Sequence, residues 1–235
     1  MDRDSLFELL SGLFVLYVTI GMPLVSRWRF RRFNHQIAAG LPGARVSFYR
    51  TIIIQHVIIT ASLLGLFWLG RALPADVGLG EPRSWMGIGI GAVVIVAICV
   101  LSGLKMRDQA DVVLPKLREK MGAVIPSSPT EARWFAWLAS SGAIQEELLY
   151  RAFLFYYLGT HFPDLSVWMI ILISSAVFGL GHLYQGVKGI LLTGLAGVLV
   201  AGLYVASGNL ILPILLHALL NLRILFLVGP PPKSG

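Results

Sequence analysis

The sequence predicts an all-α polytopic membrane protein, a bundle of about seven transmembrane helices. Three observations carry that expectation. Hydrophobic residues make up 56% of the 235 positions and charged residues only 13%, about half the charge of a typical soluble domain. The apolar residues gather in runs near the 20 or so needed to span a hydrocarbon core as helix. The runs do not alternate polar with apolar residues, as a transmembrane β-barrel requires, and isolated strands would leave unpaired backbone in lipid.

The runs are residues 6–25, 51–69, 85–104, 134–158, 165–183, 187–205 and 210–228. The first follows Met1-Asp2-Arg3-Asp4, which is not a basic leader region, and reads as a retained helix. Between the third and fourth runs, Val113, Leu117, Met121 and Val124 recur at helical spacing among charged residues. They predict a short helix in the membrane interface, limited by Pro115 and Pro126. The sixth run is rich in glycine, and its Thr193, Gly197 and Ala201 fall four apart, a face on which helices approach closely. Residues 229–235 read as a Pro-rich disordered tail. The chain divides into residues 1–133, membrane helices and cytoplasmic loops, and residues 134–235, a helix core with the tail.

The net charge of +7 follows the loops. Arg27, Arg29, Arg31, Arg32, Arg45 and Arg50 follow the first run; Lys105, Arg107, Lys116, Arg118, Lys120 and Arg133 follow the third. The alternate connections carry Arg71 and Arg83 in one and no Lys or Arg in the others, while Lys188 and Lys233 fall on the rich side. The positive-inside rule then sets the N-terminus outside and the C-terminus in the cytoplasm. No nucleic-acid-binding motif accompanies the positive charge, so nucleic acid is not an expected partner. Cys99, the only cysteine, reads as a small buried apolar side chain.

Ionisable groups inside apolar runs are costly, which makes them functional candidates. The fourth run holds Gln145-Glu146-Glu147-Leu148-Leu149-Tyr150-Arg151, with Glu146 roughly 18 Å along the helix from Trp134. Glu147 and Arg151 are spaced for an ion pair in the favourable order; Glu146, about 100° around the helix, has no such partner. Phe178 and His182 share a face at the end of the fifth run, and His217 and Asn221 share one in the seventh. His182 could also simply meet helix-terminal carbonyls or water, and His217 with Asn221 could be a packing contact. His56, beside Gln55 in the second run, reads as structural. A carboxylate can take a proton from water and imidazole can orient that water, while amide and imidazole donors can stabilise an oxyanion. These are groups suited to amide hydrolysis. Ser174 and Ser175 do not motivate a serine mechanism. Glu146, His182 and His217 could instead hold a divalent metal such as zinc, though His-Glu-x-x-His is absent.

The ordered set Glu146-Glu147-x-x-x-Arg151, Phe178-x-x-x-His182 and His217-x-x-x-Asn221 resembles the three motifs of the CPBP intramembrane proteases. That family comprises CAAX prenyl proteases and bacteriocin-processing or Abi-type proteins. The resemblance covers residues 134–228. It implies that Glu146 activates water with His182, that His217 and Asn221 stabilise the oxyanion, and that Glu147, Arg151 and Phe178 support them. Whether the reaction needs a metal stays open. The expected substrate is a membrane-associated peptide or protein, lipidated or not, and the short chain looks prokaryotic. Two rivals remain: a non-enzymatic bacteriocin-immunity or interaction protein on the same fold, and a proton-coupled carrier.

Overall fold

In the computed structural model, residues 2–227 are described, with side chains 118–122 excluded. The expected tail at 229–235, with Lys233, lies outside them, as do the side chains of Arg118, Lys120 and Met121. Helix α1 (Arg3–Leu16) starts where Asp2 accepts from the Ser5 amide at 2.8 Å. It widens into a π turn at Tyr17–Gly21 and continues as α2 (Met22–Ala38). The Tyr17 ring lies against Gly21, where a Cβ would come within 2.8 Å of it. After Gly40 and Gly43, both at positive φ, come α3 (Ala44–Leu69), α4 (Trp85–Asp108) and α5 (Ala110–Met121).

Ser128 caps α6 (Pro129–Glu147) by accepting from the Glu131 amide, with proline in the first turn, where its missing N–H costs nothing. A second π turn, Leu148–Phe153, joins α6 to α7 (Leu154–His161). Then follow α8 (Val167–Gly181), α9 (Gly186–Ser207) and α10 (Ile211–Leu222), the last extended by a 3-10 turn at Arg223–Leu227. No strand occurs among the described residues.

The protein is an all-α membrane bundle. Among the described residues, four helical stretches are long and apolar enough to cross a bilayer: Arg3–Ala38, Ala44–Leu69, Trp85–Asp108 and Leu183–Ser207. Val167–Gly181 and Ile211–Leu227 are shorter apolar helices. The rod from α6 through α7 is about 50 Å long at 1.5 Å per residue, and it carries Glu146, Glu147 and Arg151 in its middle. Contacts between connections gather at two ends of the bundle. At one end Arg3 donates to the Leu69 and Trp68 carbonyls, Arg83 N–H to Ser207 and Leu210 N–H to Gly78. At the other, Arg45 Nε donates to Ala123 at 2.8 Å and Tyr49 to Val124 at 2.6 Å.

The expected interfacial helix is α5, but Pro115 sits inside it rather than ending it. Leu114, Leu117 and Val124 pack against Tyr49, Ile125, Phe135 and Ile224, so one face of α5 is held by the bundle. Cys99 is buried beside Ile88, Ile95 and Leu212. The main core joins Val18, Met22, Ile59, Leu63 and Phe67 to Leu149, Tyr150, Phe153, Phe178 and Tyr204. Residues from both halves of the chain therefore share it. The π turn Leu148–Phe153 is buried on every face, as expected of a segment enclosed by other helices.

Candidate active site

The site is built around the middle of the α6–α7 rod. Glu147 is the last α6 residue before the π turn and Arg151 lies within that turn. Both side chains are fully buried, and Arg151 donates to Glu147 Oε1 at 3.1 Å. The guanidinium also donates to the Gly197 carbonyl of α9 at 3.1 Å and stands 4.7 Å from the Phe178 ring centre. A buried cation thus has a carboxylate, a carbonyl and an aromatic face around it, which its burial requires. Ser174 donates to the Tyr150 carbonyl of the π turn at 2.6 Å. Such turns recur at functional sites, and here a serine from α8 satisfies a backbone acceptor within one. Ser174 has that structural occupation.

His217 of α10 stands between the two glutamates. Its Nδ1 lies 2.7 Å from Glu147 Oε1 and its Nε2 lies 3.5 Å from Glu146 Oε2. Glu147 is sealed, whereas a quarter of the Glu146 side chain is accessible. His182 caps the end of α8, and its Nδ1 is 3.0 Å from the Phe178 carbonyl. A carbonyl can only accept, so Nδ1 carries the proton and Nε2 holds the lone pair of the neutral ring. The Phe178 ring packs edge-on to both His182 and His217, with centres 4.8 and 5.9 Å away.

Glu146, His182, His217 and Asn221 all line one cavity of about 370 Å³. Its wall also includes Arg29, His56, Phe135, Tyr150 and Tyr184. The lining residues Arg29, Phe48, Val124 and Gln185 belong to the end where α2, α5 and the turn before α9 meet, so the cavity reaches toward that end. Among the described residues no three His, Cys, Asp or Glu groups gather as a metal-binding cluster. Of the expected metal set, His217 Nε2 and Glu146 Oε2 lie 3.5 Å apart, and the His182 Nδ1 is taken by the Phe178 carbonyl.

Residues 128–223 match the family model described as type II CAAX prenyl endopeptidase Rce1-like. Over this segment the chain is similar to the CAAX prenyl endopeptidases. The segment contains all three motif pairs. The Rce1-like segment begins at the α6 cap and ends just after α10, so α1 to α5 lie outside it. No curated protein and no solved structure matches the chain.

Two contributors to the site escaped sequence reasoning. Gly197 offers its carbonyl to Arg151, although the small-residue face of its helix reads only as packing. His56 borders the same cavity as Glu146, although it reads as structural. An imidazole and an amide side by side in an apolar run were the available signal for the second; a backbone carbonyl leaves no signal.

Proposed function

We propose that the protein is an intramembrane endopeptidase in which Glu146 activates water to hydrolyse a peptide bond of a membrane-associated peptide or protein. The carrying observation is the unequal exposure of adjacent carboxylates. Glu147 is sealed against Arg151 and His217, while Glu146 is open to the cavity. One acid is committed to structure and the other is free to take a proton.

Charge balance extends the reading. Two carboxylates and one guanidinium leave one negative charge, and an imidazolium at His217 neutralises the cluster with both its N–H groups directed at carboxylates. In a low-dielectric interior a balanced cluster is far less costly than a net charge. Water between Glu146 and the basic Nε2 of His182 gives its proton to Glu146 as its oxygen adds to the peptide carbonyl. The Asn221 amide then donates to the oxyanion, joined by the His217 Nε2–H, which Glu146 releases once it is protonated. Collapse of that intermediate breaks the C–N bond, and the proton returns to the departing amine.

The arginine-rich connections put the cavity's open end in the cytoplasm, with the N-terminus outside in a prokaryotic cytoplasmic membrane. The family description extends the candidate substrates to prenylated C-termini. The test compares wild type with Glu146→Gln in liposomes, on internally quenched membrane-anchored peptides with and without a farnesyl group, and by profiling membrane peptides from expressing cells. Cleavage lost in Glu146→Gln at equal yield is the expected result. Full cleavage by that variant would remove Glu146 as the base, and no cleavage by wild type would leave a non-enzymatic immunity or scaffold role in front.

A further inference from the structure

His56 comes from α3, outside the Rce1-like segment, yet it borders the cavity beside Glu146. Its side chain is nearly enclosed. Its Nδ1 lies 2.9 Å from Ser141 Oγ, and Ser141 Oγ in turn donates to the Leu138 carbonyl at 3.2 Å. Serine has one proton to give. When Ser141 gives its proton to Leu138, the neutral His56 ring donates from Nδ1 and holds its lone pair on Nε2. No described protein group bonds Nε2.

The ring's position follows from Gly142. A Cβ there would stand 3.2 Å from His56 Cε1, so the imidazole lies directly on the α6 backbone where only hydrogen fills the space. Gly142 and Glu146 are four apart on α6, one turn of about 5.4 Å, and share a face. His56 thus packs on α6 one turn before Glu146, and both residues line the cavity. Around the same cavity stand Arg29 of α2, Tyr150, His182, Tyr184 and His217.

We propose that His56 is a proton-carrying residue that links Glu146 to the departing amine. The inference rests on the hydrolase reading above. Water gives one proton to Glu146 as its oxygen bonds the carbonyl carbon. That proton passes through water in the cavity to His56 Nε2 and then to the peptide nitrogen as the C–N bond breaks. Glu146 ends as carboxylate and His56 as the neutral ring, so the pair is ready for the next turnover. Ser141 and Gly142 are positioning residues: one fixes the tautomer and the other admits the ring.

The experiment measures kcat, KM and melting temperature for wild type, His56→Gln, His56→Ala, Ser141→Ala and Glu146→Gln, on the quenched peptide that wild type cleaves and Glu146→Gln does not. The expected loss for His56→Gln is about 10²–10⁴-fold in kcat with little change in KM, the range of one acid–base group. Free imidazole, small enough for the cavity, should restore part of the His56→Ala activity and none of the Glu146→Gln activity. Ser141→Ala should lose less. Wild-type kcat in His56→Gln, or a loss in His56→Ala that imidazole does not restore, overturns the proposal while leaving Glu146 in place. If wild type cleaves no peptide of the set, the hydrolase reading itself fails; if Glu146→Gln cleaves as wild type does, Glu146 is not the base.

Discussion

At the residue scale, adjacency in sequence and equivalence in chemistry come apart at Glu146 and Glu147. A step of about 100° around a helix sends one carboxylate into a sealed cluster and the other to a cavity. Their neighbours should therefore fail differently. Glu146→Gln keeps size and hydrogen bonding and should remove cleavage while leaving detergent yield and melting temperature near wild type. Arg151→Ala leaves the fully buried Glu147 carboxylate with His217 as its remaining partner, and breaking a buried pair from one side costs about 3–5 kcal/mol. That variant should accumulate poorly or melt early as well as lose activity. Normal yield and melting for Arg151→Ala would show that the pair is not structural, without touching the role of Glu146. Ser174→Ala should cost about 1–3 kcal/mol by leaving the buried Tyr150 carbonyl without its donor, read as a lower melting temperature.

At the element scale, the close approach of α8 and α9 holds the site in shape. A Cβ at Gly179 would meet the Ile190 carbonyl at 2.7 Å and the Gly194 Cα at 3.2 Å, whereas one at Gly194 would stand 3.5 Å from the Ser175 carbonyl. Backbone cannot yield as a side-chain tip can. Gly179→Ala should therefore force the helices apart, at about 1–3 kcal/mol by analogy with overpacked cores, while Gly194→Ala should be tolerated. Separation would also draw Phe178 away from the two imidazoles and Gly197 away from Arg151, so Gly179→Ala should lower kcat along with melting temperature. Equal melting of the two glycine variants would mean that the α8–α9 spacing is not set at Gly179. The glycine pattern of the sixth run was legible as a packing face. Its partner helix was not, because small residues advertise closeness without naming what comes close.

At the scale of the whole molecule, the proposed seven crossings, with arginine-rich connections on alternate sides, would put the ends of the chain on opposite faces. Reporter fusions at Gly235 and in the 71–83 connection should label the cytoplasmic and the outer side respectively; labelling on one side alone would refute that arrangement. The membrane class, the runs and the motif order were readable from the chain because lipid imposes length and apolarity on each segment separately. The Glu147–Arg151 pair was readable for a similar reason, since four-residue spacing on one helix is a local property. Convergence was not readable: His217 lies 70 positions from Glu147, and its 2.7 Å contact depends on how α10 packs beside α6. His56 depended further on α3 crossing α6 at a glycine. The sequence by itself determined which segments enter the bilayer and which side chains carry charge there. Only the tertiary structure decided which of those charges neutralise one another and which face a cavity, because burial and partnership are set by helices far apart in the chain.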